Sequence, residues 1–256
     1  MGEAFDKGAE LIREAEKILV FSGAGLSTES GIPDFRSPGG LWDKYDPSDF
    51  YFQKFIADEG AREKYWRMST ESYGMMKDAQ PNRGHLAIKD LESLGKLLAI
   101  VTQNIDNLHH KAGNTPGKII EIHGTAFSAT CLDCGKKYDR DEVESRLKED
   151  FKVPYCDACG GAIKPATISF GQAMPEDKMT KAMVYALECD LCIVLGSSLV
   201  VYPAASIPKQ ALEGGAKLMI INRDETPLDG RAHLVIHDSI GKSLGSILEK
   251  FTHETA

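Results

Sequence analysis

Ile18-Leu19-Val20-Phe21 runs directly into Ser22-Gly23-Ala24-Gly25-Leu26-Ser27, and this junction decides the fold. Four consecutive apolar residues suit a strand buried on both faces. A glycine turn directly after such a strand is a common opening of nucleotide-binding α/β domains. Upstream, Phe5, Ala9, Leu11, Ile12 and Ala15 keep helical spacing across residues 4–16. Downstream, short apolar runs recur at 97–101, 118–122, 191–195, 217–221 and 234–236. Helical stretches at 85–94, 176–187 and 204–213 separate several of them. Strands alternating with helices imply a mostly parallel sheet covered on both faces.

Two stretches break the alternation. Residues 37–82 combine helix formers with Trp42, Tyr45, Phe50, Tyr51, Phe52, Phe55, Tyr65, Trp66 and Tyr73, and read as a helical insertion. Residues 126–165 hold two cysteine pairs and read as a small metal-binding module. The expected fold class is α/β: a Rossmann-like parallel sheet with a zinc-ribbon module and a helical insertion. The Rossmann-like domain comprises 1–36, 83–125 and 166–256. Both insertions are expected at one edge of the sheet, where clefts of open α/β folds hold ligands.

Cys131-Leu132-Asp133-Cys134-Gly135 and Cys156-Asp157-Ala158-Cys159-Gly160 share one form. Two residues between cysteines let both thiolates face one ion, and the following glycine permits the tight turn. The separation of the pairs is close to that of a zinc ribbon. Four protein thiolates leave no open position for water, so Zn2+ held by Cys131, Cys134, Cys156 and Cys159 is structural. Cys189 and Cys192 repeat the spacing in or beside an expected strand, where positions three apart face opposite ways. They read as buried core thiols.

Alone, Gly23-Ala24-Gly25 also reads as a simple tight βα turn. Its functional reading is that bare backbone amides and a helix N-terminus approach a pyrophosphate. The loop that follows, Gly31-Ile32-Pro33-Asp34-Phe35-Arg36, offers a guanidinium for phosphate and an aromatic ring to exclude water. With it the chain resembles the sirtuins, which pair these two segments. Thr102-Gln103-Asn104-Ile105-Asp106-Asn107-Leu108-His109 is similar to their second motif, and Glu121-Ile122-His123-Gly124 to their third. The cysteine pairs, Phe170-Gly171, Gly196-Ser197-Ser198 and Ile221-Asn222 follow in the family's order.

The resemblance implies an NAD-dependent protein-lysine deacetylase or deacylase that releases nicotinamide and O-acyl-ADP-ribose, with acyl-lysine proteins or peptides as partners. It implies His123 and Asn104 as catalytic residues, His123 as general base on a ribose hydroxyl. An imidazole suits this role because its ordinary pKa lies near neutrality. It implies NAD contacts from Gly23, Ala24, Gly25, Ser27, Asp34, Phe35, Arg36, Gln103, Asn104, Ile105, Asp106, Gly196, Ser197, Ser198, Asn222 and Arg223. Peptide is expected at Ile168, Phe170 and Gly171 on one side and Val200, Val201 and Tyr202 on the other, by strand addition. Two departures stand out. Gln172 replaces the Glu that often follows Phe-Gly. The Tyr-x-x-Arg pair of members that prefer acidic acyl groups is missing near 64–73, where Tyr65-Trp66-Arg67-Met68-Ser69-Thr70-Glu71-Ser72-Tyr73 offers no such spacing. Acetyl and other neutral acyl groups are therefore expected substrates.

The formal net charge of -8 carries no basic footprint for nucleic acid. No run of about 18 apolar residues is present, so no membrane span is expected. The first residues mix charges with apolar side chains and do not read as a signal peptide. A cytoplasmic protein is expected, where disulfides are rare. Two rival classes share the sequence features. One is an NAD-dependent protein ADP-ribosyltransferase. The other is a noncatalytic, nucleotide-binding zinc scaffold. A hydride-transferring dehydrogenase fits less well, because the third glycine of the dinucleotide fingerprint is missing.

Overall fold

A computed structural model describes residues 2–35 and 38–253. The chain begins with α1 (Gly2–Glu14) and β1 (Ile18–Ser22). Three helices, α2 (Leu41–Lys44), α3 (Phe52–Ala57) and α4 (Glu59–Asp78), precede α5 (Arg83–Ser93) and β2 (Leu97–Thr102). Next come α6 (Leu108–Lys111), β3 (Ile119–Glu121), β4 (Gly124–Cys131), β5 (Lys137–Asp139), α7 (Arg140–Asp150) and β6 (Ile163–Thr167). The chain closes with α8 (Glu176–Glu188), β7 (Leu191–Leu195), α9 (Ser206–Glu213), β8 (Lys217–Ile221), β9 (Leu234–Ile236) and α10 (Ile240–His253).

Six strands form one parallel sheet in the order β3-β2-β1-β7-β8-β9. Every side chain of β1 is buried, because the two faces of the strand feed two separate cores. Ile18 and Val20 pack with Ile12, Ile88, Leu91, Leu244 and Ile247, beneath α1, α5 and α10. Leu19 and Phe21 pack with Ala182, Ala186, Ile207 and Ala211, beneath α8 and α9. This period-2 division explains why the sequence of β1 is continuously apolar. Each such aliphatic side chain contributes about 1.5–3 kcal/mol on burial. The helix α10 lies outside the elements expected from sequence, although Ile240, Leu244, Ile247, Leu248 and Phe251 keep helical spacing and are buried. Among the described residues no helix is long and apolar enough to cross a membrane.

The strand order reverses direction between β1 and β7. Open α/β sheets bind ligands at such a switch point, beyond the carboxyl ends of the strands. Here the turns after the two strands lock together: Gly23 N–H donates to Leu195 O at 2.9 Å and Gly25 N–H to Gly196 O at 2.9 Å. A Cβ on Gly23 would meet Gly196 O at 2.7 Å, and one on Gly196, whose φ is +63, would meet Leu26 N at 2.2 Å. These glycines are therefore fixed first by the crossing of two backbones. After Gly23 the chain forms two successive 3-10 turns, Ala24–Leu26 and Thr28–Ser30. This corrects the expectation of a helix N-terminus at the turn: the helix that packs here is α5. Its cap, Asn82, accepts from Gly84 N–H and donates to Leu26 O at 2.7 Å.

The two insertions share one core. Phe50, Phe55, Tyr65 and Trp66 pack with Ala129, Tyr138, Val143, Leu147, Cys156 and Ile163. The Trp66 indole N–H donates to Ile163 O at 3.1 Å. Arg140 is fully buried between Trp66 and Tyr73, 4.8 and 4.9 Å from the ring centres, and binds Glu144 through two nitrogens. β5, β4 and β6 form a three-stranded antiparallel sheet in that order.

Cys189 lies at the end of α8, not on β7, and shares one core with Cys192. The opposite-faces argument therefore does not apply to this pair. Burial still raises both thiols, Cys189 to about 12 and Cys192 well above its ordinary value, as inert core sulfurs require.

Candidate active site

The carboxyl ends of β1, β2, β3, β7 and β8 open into one cleft of about 410 Å³ beneath the second lobe. Its lining includes Gly23, Ala24, Gly25, Ser27, Asp34 and Phe35 from the first glycine turn and loop. Gln103, Asn104, Ile105 and Asp106 line it after β2, and His123 after β3. Gly196, Ser197 and Ser198 follow β7, and Asn222 and Arg223 follow β8. Ile168, Phe170, Gly171, Val201 and Tyr202 lie at its mouth. Val200 stands outside the lining, with its side chain half exposed. Arg36 lies outside the described residues.

The polar floor is connected. Asn104 Nδ2 donates to Gly23 O and to Ser27 Oγ, both at 3.1 Å. Ser27 Oγ donates to Asp106 Oδ2 at 2.6 Å, and Asp106 Oδ1 accepts from Leu108 N–H. Asn104 therefore reaches from the β2 loop to the β1 turn and fixes both. Burial raises the Asp106 carboxyl above its ordinary value, against the lowering effect of the Ser27 hydroxyl. Gln103 Nε2 donates to Ser197 Oγ at 2.9 Å and ties the same loop to the end of β7.

His123 Nδ1 lies 3.1 Å from Gln103 O. A carbonyl only accepts, so Nδ1 carries the proton and Nε2 keeps the lone pair. Burial lowers the ring's pKa below 6.5 and outweighs the raising effect of that hydrogen bond. At neutral pH His123 is thus a neutral imidazole with a basic nitrogen, the state a general base needs. The ring is aimed by a chain reversal. His123 O accepts from Ile168 N–H, and Gly124 has φ +75 with no room for a Cβ, which would meet Ala166 O at 1.9 Å. Gly124→Ala is expected to cost at least about 2 kcal/mol through left-handed strain and this clash. A Tm unchanged within about 1 °C would contradict the account.

At the mouth, Phe35 packs on Trp42 at 5.4 Å, and Phe170 faces Trp42 and Tyr51 at 6.3 and 5.9 Å. Segment 168–171 lies beyond the end of β6 and is held by the helical insertion: Phe170 O accepts from Phe52 N–H and Gly171 O from Gln53 Nε2. Gln172 folds back to accept from Ser169 N–H. Tyr65 and Met68 line the far wall together with Met76, Thr167 and Ser169, and sequence reasoning left out the last three. No motif marks them. Tyr65 and Met68, one helical turn apart on α4, carry the only periodic signal. At the opposite end Asp238, Ser239 and Ile240 extend the lining from the start of α10.

Away from the cleft, the sulfurs of Cys131, Cys134, Cys156 and Cys159 lie within 4.8 Å of one another. The pairs Cys131–Cys159 and Cys134–Cys156 are separated by 3.5 and 3.6 Å. Zinc–sulfur bonds of about 2.3 Å in a tetrahedron place sulfurs roughly 3.8 Å apart, so four thiolates arranged this way fit zinc. Tyr138 Oη donates to Cys156 Sγ at 3.0 Å and Gly161 N–H to Cys159 Sγ at 3.4 Å, the donors that thiolate ligands receive.

Residues 23–203 match the model of the Sir2 family. The chain is 48% identical over 236 residues to an NAD-dependent protein deacetylase of Rhodopseudomonas palustris, covering 92% of each chain. It is 44% identical over 252 residues to one of Thermodesulfovibrio yellowstonii, covering 98% of this chain and 97% of the relative. Its fold is similar to that of a Sir2 variant solved with deacetylated p53 peptide and 3'-O-acetyl ADP ribose. The TM-score is 0.90 at 37% identity, covering 96% of this chain and 98% of the other.

Proposed function

The chain belongs to the Sir2 family, and we propose that it is an NAD-dependent protein-lysine deacetylase built around His123. The single observation that carries this reading is the orientation of His123: Nδ1 bonded to Gln103 O, Nε2 left as a base in the cleft. NAD supplies the ribose carbon that takes the acyl oxygen as nicotinamide departs, and water completes the release of lysine and O-acyl-ADP-ribose. His123 Nε2 accepts the proton of a ribose hydroxyl as that oxygen turns on the acyl carbon. Asn104 and Gln103 hold the ribose, and Asp106 meets the nicotinamide amide. Gly23, Ala24, Gly25, Ser27, Gly196, Ser197 and Ser198 offer backbone and hydroxyl donors to the phosphates. Asp34 and Ile105 add further NAD contacts, Arg36 offers its guanidinium to phosphate, and Asn222 and Arg223 complete the adenosine side. Phe35 covers the reacting sugar and excludes water. Zinc held by the four cysteines supplies structure only, since it has no open position.

Ile168, Phe170 and Gly171 with Val200, Val201 and Tyr202 form the walls between which an acyl-lysine peptide lies. A cytoplasmic location accords with two cysteine pairs spaced for a metal rather than for disulfides. Mass spectrometry of an acetyl-lysine peptide, with and without NAD, tests the function. The expected result is NAD-dependent loss of acetyl with one nicotinamide and one O-acetyl-ADP-ribose per lysine. ADP-ribose attached to protein with acetyl-lysine intact would favour the transferase reading, and inert NAD the scaffold reading.

The acyl end of the cleft supports a neutral substrate. Met68 occupies the position where a cation would meet an acidic acyl group. Arg67 points away instead, binding Glu63 and lying 4.1 Å from the Phe151 ring centre. Acetyl-lysine is expected to react at least about ten-fold faster than succinyl-lysine in kcat/KM. Faster desuccinylation across a peptide panel would overturn this.

A further inference from the structure

Two buried histidines lie beneath the cleft floor without a role in the chemistry above. His85 on α5 and His109 on α6 are 0% and 3% exposed, and their rings meet edge to face at 5.2 Å. Both nitrogens of His85 and Nδ1 of His109 have no hydrogen-bond partner. Burial lowers His85 to about 4 and His109 well below its ordinary value, so both rings are neutral at pH 7. Buried polar atoms without partners are costly, and here one nitrogen of the pair is used. His109 Nε2 lies 3.0 Å from Ser22 Oγ. That hydroxyl already donates to Thr102 Oγ1 at 2.8 Å, so it can only accept from the ring. His109 is therefore protonated on Nε2, which leaves Nδ1 as the unpaired lone pair.

The chain of bonds ends at the cleft. Thr102 Oγ1 accepts the backbone N–H of Asn104 at 3.0 Å, and Ser22 O accepts that of Gln103 at 3.0 Å. Ser22 and Thr102 are the last residues of β1 and β2, so the hydroxyl pair sets how the two strand ends hold the loop. We infer that His109 is a positioning residue: through Ser22 Oγ and Thr102 Oγ1 it fixes the backbone at Asn104, and with it the amide that meets the ribose. The Nε2–H gives the hydroxyl chain one direction. Without it the Ser22 hydroxyl is free to turn from Thr102, and Asn104 loses one of the constraints on its orientation. The effect falls on the chemical step more than on binding, because a loosely held Asn104 still contacts NAD but less often in the productive geometry.

The inference rests on the proposed deacetylase function, and two measurements separate them. Wild-type deacetylation tests the function. The tautomer of His109, read from long-range 1H–15N correlations of the imidazole, needs no activity. His109→Leu is expected to lower kcat about ten-fold with both KM values within about two-fold. His109→Gln, which restores a donor, is expected to return kcat to within about three-fold of wild type. Combining His109→Leu with Thr102→Val should be no slower than Thr102→Val alone, since both act on one chain. Equal losses in the Leu and Gln variants, multiplicative losses in the double variant, or an Nδ1-protonated His109 would overturn the inference.

Discussion

His123→Ala is expected to lower kcat for deacetylation by about 10²–10⁴-fold, the contribution of a positioned general base, while NAD affinity stays within a few-fold. The side chain meets the protein through one hydrogen bond to Gln103 O, so its loss should leave the fold in place. Single-turnover deacetylation and calorimetric NAD binding check both halves. Activity retained within ten-fold of wild type would remove His123 from the mechanism. The pH dependence gives an independent check with a definite sign. Burial lowers the folded pKa of His123 below 6.5, so the base form persists below that pH. The acid limb of kcat/KM should therefore fall below pH 6.5 in the wild type. An acid limb centred above pH 6.5 would contradict a buried base. Stability carries the same sign for another reason. His85 titrates near 4 in the fold and near 6.5 when unfolded, so the unfolded chain binds the extra proton between those values. His85 by itself lowers stability by up to about 1.4 kcal/mol per pH unit inside that window as pH falls.

Removal of the metal should abolish activity although no step of the chemistry involves it. Zn2+ held by the four cysteine sulfurs would tie together two turns otherwise joined by polar contacts, such as Lys136 with Asp157 and Leu132 N–H with Ala162 O. Cys131 and Cys156 lie in the same core as Phe50, Phe55, Tyr65 and Trp66. Tyr65 in turn lines the cleft and bonds Thr167 and Ser169. Loss of the ion therefore propagates from the small sheet into the helical insertion and to the acyl end of the site. Structural zinc in isolated fingers contributes apparent binding energies of about 10–16 kcal/mol at pH 7, so its removal exceeds the margin of a typical domain. Prolonged chelation, or Cys156→Ser, should reduce deacetylation to background and lower Tm by more than about 10 °C. Retained activity in a preparation shown by elemental analysis to lack zinc would sink this account.

Much of the architecture was legible because its causes are local. β7, β8 and β9 fall where short apolar runs end at turn residues, since strands covered on both faces leave no polar positions. The cysteine ligands were legible because the x-x spacing alone brings two sulfurs to one point. The helix α10 was equally legible from its spacing and still lay outside the expected elements. The 3-10 turns after β1 were not, since a glycine turn is compatible with either a helix start or a tighter coil. Met76 carried no site reading in the sequence, and Tyr65 and Met68 entered only within the helical insertion and its stretch that lacks the Tyr-x-x-Arg spacing. Only the placement of α4 over the cleft, where Tyr65 bonds Thr167 and Ser169, makes them walls of a cavity.

The sequence by itself determined the strand-helix alternation of a parallel sheet, the glycine turn after β1 and the two cysteine pairs, because each depends on neighbours a few residues apart. The tertiary structure alone decided which nitrogen of His123 is basic and that the two insertions form a single lobe. It also decided that His109, Ser22, Thr102 and Asn104 form one chain. Those arrangements join groups far apart in the chain, from 20 positions for His123 and Gln103 to 97 for Trp66 and Ile163. Such partners meet only because the strand order sets β1 between β2 and β7. No local periodicity encodes which hydroxyl then lies within reach of which ring.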